Sequence, residues 1–174
     1  MEDFVLARPS PAYAGQLAEY RAEFLEAGDS MDGTNRLRRF EDMAEYIRYC
    51  ADCENPADAD DRAPATQFLF VRVSDGRLVG MIQVRHCLND YLRTFGGHIG
   101  YCVRPSERRK GYAKAMLKAV LPFCREIGIE KVLVTCLDGN TGSEKTILSG
   151  GGVYESTVYE PELKADVKRF WISL

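Results

Sequence analysis

Apolar and polar positions along this chain alternate with two different periods. Phe4-Val5-Leu6-Ala7 reads as a short strand, stopped by Arg8-Pro9-Ser10-Pro11, where the prolines end the strand and permit a helix to begin. Leu17, Tyr20, Phe24 and Leu25 then recur at helical spacing, with Gln16, Glu19, Arg21 and Glu23 on the other side. Gly28 marks the end of that helix. Ser30-Met31-Asp32-Gly33-Thr34-Asn35 is a loop by composition. A second helix is predicted from Leu37, Phe40, Met43, Ala44, Ile47 and Cys50, which keep the 3.6-residue period. The run from Asp52 to Asp61 carries five acids and no base, and reads as a solvated connector.

From Gln67 the period shortens to that of strands. Phe68 to Val73 and Leu78 to Val84 flank Ser74-Asp75-Gly76-Arg77, and an Asp-Gly pair between two β-rich runs predicts a hairpin. Gly96-Gly97 precede a strand from His98 to Val103, which stops at Arg104-Pro105. A long helix is predicted from Arg109 to Ile127, with Tyr112, Met116, Ala119, Val120, Phe123 and Ile127 as its apolar stripe, a kink at Pro122 and an end at Gly128. Lys131 to Leu137 forms a strand, Asp138-Gly139-Asn140 a turn, and Thr141 to Leu148 a short helix. The tail from Val153 to Leu174 reads as two strands around Glu160-Pro161-Glu162. The order β-α-α-β-β-β-α-β-α-β-β predicts a mixed α/β layer fold. The 174 residues fit one domain, 1–174, with no internal repeat.

Composition narrows the function classes. A net charge of −3 sets the chain apart from general nucleic-acid binders, which are basic. No apolar run approaches the ~20 residues of a membrane span, and the acidic start Met1-Glu2-Asp3 lacks the basic opening of a secretory signal. A cytoplasmic protein is therefore expected, with partners that are neither nucleic acid nor membrane. Of six cysteines, Cys50 and Cys53 have metal or redox spacing, but no second pair follows, so no metal site is expected.

One segment carries a charge opposite to that of the whole chain. In Arg104-Pro105-Ser106-Glu107-Arg108-Arg109-Lys110-Gly111-Tyr112-Ala113, four cations face a single acid where a strand gives way to a helix. Helix N-termini expose unpaired N–H groups and positive partial charge, and bind phosphates. Gly111 and Ala113 let a ligand approach the backbone. The segment is neither the dinucleotide fingerprint nor the P-loop. Its spacing, with Arg108, Gly111 and Ala113, resembles the acetyl-CoA motif of the GNAT superfamily of N-acetyltransferases. Gly100-Tyr101-Cys102-Val103 before it, the amphipathic helix after it, and Asn140-Thr141-Gly142-Ser143 beyond the next strand resemble further stations of that family. The resemblance is strong from Phe68 to Gly152 and weak in the N-terminal third.

The resemblance implies a GNAT-type fold, a mixed and mostly antiparallel central sheet flanked by helices, and acetyl-CoA as cofactor. It implies backbone contacts from Val103 to the pantetheine arm. Amides from Arg108, Arg109, Lys110, Gly111, Tyr112 and Ala113, with Lys114, would meet the pyrophosphate, and Asn140 and Ser143 would add contacts. The reaction it implies is direct attack on the thioester by a primary amine of a small molecule or peptide. A homodimer is compatible with the family. Among candidate bases His98 comes first, because an unperturbed imidazole titrates near about pH 6.5, and His86 second; a histidine that merely packs is the competing reading. Many members carry a tyrosine acid where this chain has Ile147, which cannot donate; Ser143, Tyr101, Tyr154 or water stands in its place. Two other classes compete with the enzyme: a non-catalytic acyl-CoA binder and a phosphate-binding module.

Overall fold

The computed structural model describes residues 3–56 and 63–174. Seven strands form one sheet: β1 (Phe4–Ala7), β2 (Ala65–Arg72), β3 (Leu78–Arg85), β4 (Ile99–Val103), β5 (Lys131–Leu137), β6 (Val153–Glu160) and β7 (Ala165–Ser173), in the order β1-β2-β3-β4-β5-β7-β6. Every neighbouring pair is antiparallel except β4 with β5. Among the described residues four α-helices complete the fold: α1 (Ala14–Ala27), α2 (Met43–Glu54), α3 (Tyr112–Glu126) and α4 (Thr141–Ser149). The main elements follow the predicted order, and none of the helices is long and apolar enough to cross a membrane among the described residues.

The period-2 alternation of β2 explains the layers. Phe68 and Phe70 face a core built with Met116, Leu117, Val120 and Cys124 of α3 and Ile147 of α4. Leu69 and Val71 face a second core with Leu17, Tyr20 and Phe24 of α1 and Tyr46 and Cys50 of α2. Both faces of the sheet are covered, so β2 and β3 read as continuous apolar runs.

Several boundaries differ from the sequence reading. The helix expected from Leu37 is broken: Leu37–Arg39 is a single 3₁₀ turn, Phe40 is extended, and α2 starts only after Asp42, whose side chain accepts from the Ala44 N–H at 2.8 Å. The helix expected from Arg109 starts at Tyr112, because Arg109 (φ 66°) and Gly111 (φ 86°) hold left-handed conformations. In α3 the buried positions are Tyr112, Met116, Leu117, Val120 and Cys124; Ala119 is exposed. The helix continues through Pro122 to Glu126. Leu92–Gly96, not anticipated, forms a π-helical turn. Of the acidic stretch 52–61, the first residues close α2 and positions 57–62 lie outside the described residues. All six cysteines are free, and Asn35 contacts the sulfurs of both Cys50 and Cys53.

Candidate active site

The parallel pair β4–β5 is joined over a short length. Ile99 pairs with Val134, the His98 N–H donates to the Leu133 carbonyl at 2.7 Å, and beyond Ile99 no further register pair forms between the two strands. Gly100 to Val103 on one side and Thr135 to Leu137 on the other then line a cleft of about 1040 Å³. A parallel edge whose strands part in mid-sheet leaves backbone polar groups available to a ligand, since each such group needs a partner.

One end of the cleft is the mouth of α3. Arg108, Arg109, Gly111, Tyr112, Ala113 and Lys114 line it. Among the described residues no side chain caps this helix, so its first turn presents amides and partial positive charge to the cleft. Gly111 supplies the positive φ of the cap, and a Cβ there would point into open space. The side chain of Lys110 turns away from the cleft onto Glu107, 2.8 Å distant. Arg108 donates from Nε to the Val103 carbonyl (3.2 Å) and pairs through Nη1 with Asp29 (2.7 Å). Across the cleft the Asn140 side chain accepts from the Ser143 N–H at 3.1 Å and starts α4.

The cleft is also lined by a hydroxyl pair. Tyr101 reaches from β4 to Ser143 of α4, with its oxygen 2.8 Å from Ser143 Oγ. Burial pushes the Tyr101 phenol up to about 12, against the hydrogen bond from Ser143, so it keeps its proton at neutral pH. Two cysteines also line the cleft. Burial pushes the Cys102 thiol up to about 12 and the Cys136 thiol up to about 11, which leaves both protonated and poorly nucleophilic.

The opposite end is built from three connections. The loop after α1 brings Asp29, Ser30, Asp32 and Gly33; the β3–β4 connection brings Tyr91, Leu92, Phe95 and Gly96; the β6–β7 turn brings Leu163. Gly33 lies flat against β4, where a Cβ would sit 2.1 Å from the Gly100 carbonyl carbon, and Gln67 holds the Gly33 carbonyl at 3.0 Å. Only glycines on both sides permit that approach. Thr135 Oγ1 donates to the Phe95 carbonyl (2.7 Å) and Arg169 to the Thr94 carbonyl (2.7 Å), which fixes the π-helical turn over the sheet.

Two sequence expectations do not survive this geometry. His98 precedes β4 and is 7% exposed, away from the cleft lining. Its Nδ1 accepts from the Leu133 N–H at 2.9 Å and so closes the β4–β5 ladder. Burial, with Arg85 and Arg93 nearby, pushes its imidazole down to about 4, so it is a neutral structural histidine and not a base for this cleft. Tyr154 lies on the outer strand β6, half exposed, with its ring on Phe170 and its hydroxyl on Thr157, away from the cleft. His86, the second candidate, bonds Thr66 at 2.9 Å and is likewise absent from the lining. Ile147 is buried in the core. The sequence reading missed Asp32, Arg85 and Tyr91 in the lining, and Glu107 beneath the α3 mouth. A signal existed for Arg85, a cation ending a strand whose preceding seven residues are all buried.

The neutral His98 has a pH consequence. Its folded pKa lies below the ordinary value of about 6.5, so protons favour the unfolded chain. Its contribution to stability is full above about pH 6.5, and up to about 3 kcal/mol is lost by pH 4. Urea unfolding of wild type and His98→Asn, which keeps an acceptor for the Leu133 N–H, reads this: the variant loses that part of the slope. Parallel curves over pH 4 to 7, a range set by the two pKa values, would refute it.

Comparison with known proteins places the fold in a family. Residues 33–147 match the model of the acetyltransferase (GNAT) family. The RimL ribosomal L7/L12 alpha-N-protein acetyltransferase, solved with coenzyme A, superposes with a TM-score of 0.73 at 12% identity, over 98% of this chain and 94% of that one. The microcin C7 self-immunity acetyltransferase MccE, solved with acetyl-CoA and AMP, gives 0.70 at 15% identity, over 100% and 94%. A GNAT-family acetyltransferase from Bacillus anthracis gives 0.66 at 15%, over 99% and 96%. None of the curated proteins matches the chain. At these identities the superpositions establish a shared fold, while the family model covers more than half of the sequence and includes the cleft strands, the α3 mouth and most of α4. The chain belongs to the GNAT family of acetyltransferases, enzymes that take their acetyl group from acetyl-CoA.

Proposed function

We propose that the cleft transfers acetyl from acetyl-CoA directly to a primary amine of a small molecule or peptide. The observation that carries this reading is the Tyr101–Ser143 hydroxyl pair, which lines the same cleft as the parted strands and the mouth of α3. In this reading the amides from Arg108 to Ala113, with Lys114, take the pyrophosphate. The pantetheine arm lies along Gly100 to Val103, with Asn140 and Ser143 opposite. An N–H of β4 near Val103 receives the oxyanion as the amine adds to the thioester carbonyl. Tyr101, protonated at working pH, hydrogen-bonds the departing thiolate and supplies the donor that Ile147 cannot. Asp29 is occupied by Arg108, which leaves Asp32 as the lining carboxylate that draws in the acceptor's ammonium and accepts its proton, directly or through water. The neutral thiols of Cys102 and Cys136 favour direct attack over an acyl-cysteine intermediate.

Thiol release from acetyl-CoA with a panel of amines tests this proposal. Tyr101→Phe is expected to lower kcat about 100-fold with little change in the KM for acetyl-CoA, because only a group acting in the transition state is lost. Unchanged kcat would remove Tyr101 from the reaction. CoA binding without thiol release from any amine would favour a non-catalytic acyl-CoA binder instead.

A further inference from the structure

Arg85 closes β3, and its guanidinium turns into the acceptor end of the cleft. Nη1 donates to the carbonyls of Gly96 (2.9 Å) and Gly97 (3.1 Å). Nη2 comes within 3.3 Å of the point where a Cβ on Gly100 would sit, beside the middle of the open β4 edge. Other arginines packed into this protein hold a carboxylate: Arg72 has Glu107 (3.0 Å), Arg104 has Glu23 (2.5 Å) and Arg169 has Glu155 (2.6 Å). Arg85 has none within ion-pair distance among the described residues, and burial pulls its pKa below the usual arginine range. A guanidinium cannot shed its proton at working pH. A cation in that setting, bonded to two carbonyls and to no carboxylate among the described residues, has room for an anion.

Asp32 stands on the other wall. It is close enough for its charge to act on Arg85, yet the two form no ion pair, and its Oδ2 accepts instead from Ser30 Oγ at 2.8 Å. A positive and a negative group thus face one cavity without neutralising each other. Beside them Tyr91 and Phe95, with ring centroids 5.5 Å apart, and the exposed Leu163 give an apolar wall.

Resting on the acetyl-transfer reading above, we propose that the acceptor is a free amino acid with an apolar or aromatic side chain. Its carboxylate docks on Arg85, its amine lies toward Asp32 and the thioester, and its side chain packs on Tyr91 and Phe95. A bidentate guanidinium–carboxylate pair orients a ligand as well as holding it, and the two bonds between the carboxylate carbon and the amine nitrogen keep the nucleophile beside Gly100.

The test uses matched pairs, phenylalanine against phenylalaninamide and leucine against leucinamide, in thiol release from acetyl-CoA and in calorimetry on the CoA complex. Wild type is expected to prefer the acids about 10- to 100-fold in kcat/KM, the range of a charge-assisted hydrogen bond. Arg85→Gln is expected to abolish the preference, and Arg85→Lys to keep part of it, both with CoA affinity unchanged as the check on folding. Equal turnover of acids and amides in wild type overturns the amino-acid assignment and leaves acetyl transfer standing. Tighter binding of the acids without any thiol release overturns acetyl transfer and supports the carboxylate site. Acid preference that persists in Arg85→Gln overturns the role of Arg85.

Discussion

Replacing Gly111 by glutamate is expected to raise the KM for acetyl-CoA, and the Kd for CoA, by about 100-fold or more. Two costs combine. Gly111 holds φ 86°, a conformation that costs an L-residue about 1–2 kcal/mol, so the turn of the free variant relaxes and CoA binding has to restore it. Its Cβ would meet no protein atom within 4 Å and would point into the space before the uncapped α3. A carboxylate placed there competes with the pyrophosphate for the same amides and repels it, for a further penalty of about 1–2 kcal/mol. Gly111→Asn separates the two effects, since asparagine tolerates the left-handed region and carries no charge; its loss is expected to stay within about 10-fold. Calorimetric titration with CoA reads both variants. Affinity like wild type in Gly111→Glu would mean that the phosphates lie elsewhere. Equal losses in the two variants would assign the whole effect to the backbone.

That glycine shows why the proposed cofactor end of the cleft leaves a pattern in the sequence and the proposed acceptor end does not. In the proposal, phosphate recognition is a property of local chain geometry: a strand end, a proline turn, a residue that accepts positive φ, and a helix start, all within 15 residues from Ile99 to Ala113. Local geometry leaves a local pattern. The layer fold was legible for a related reason, since the change of period at Gln67 separates helix faces from strand faces in β2 itself. The other end of the cleft is assembled from the loop after α1, the β3–β4 connection and the β6–β7 turn, which meet only through sheet order. Nothing in the spacing of Asp32, Arg85 and Leu163 announces that they share a cavity. His98 misled for the opposite reason. Its place at the start of a strand is readable from the sequence, but its Nδ1 is consumed by the Leu133 N–H, a partner 35 positions away in sequence. Alternation places a side chain on a face of a strand and says nothing of which backbone group will claim it.

Replacement of Glu107 by alanine is expected to destabilise the fold strongly although the residue lies outside the cleft lining. The Glu107 side chain is only 6% exposed and gathers three cations: Arg72 at 3.0 Å, Lys110 at 2.8 Å, and Arg77, whose Nε lies 2.8 Å away as an ion pair without the alignment of a hydrogen bond. Arg72 also bonds the Tyr112 hydroxyl at 3.0 Å, so this cluster ties the β2–β3 hairpin to the first residue of α3. Breaking a buried pair costs about 3–5 kcal/mol, and because Arg77 and Lys110 reach solvent the lower figure applies, about 3 kcal/mol. For a chain of this size that corresponds to a fall in Tm of about 6–12 °C. Burial raises the Glu107 carboxyl, but hydrogen bonds from Lys110 and Arg72 outweigh it and hold the group below the ordinary glutamate range. The stabilisation is therefore full above about pH 4.3 and lost as pH falls through the lower folded value. Glu107→Gln, which keeps the shape, is expected to flatten that acid limb. If the cluster also positions the turn, Glu107→Gln raises the KM for acetyl-CoA and leaves kcat unchanged, because a misplaced phosphate grip weakens ground state and transition state alike. A loss of Tm with no change in that KM would make Glu107 a strut of the fold alone. The two readouts together decide whether the mouth of α3 is held open by its own backbone or by the carboxylate beneath it.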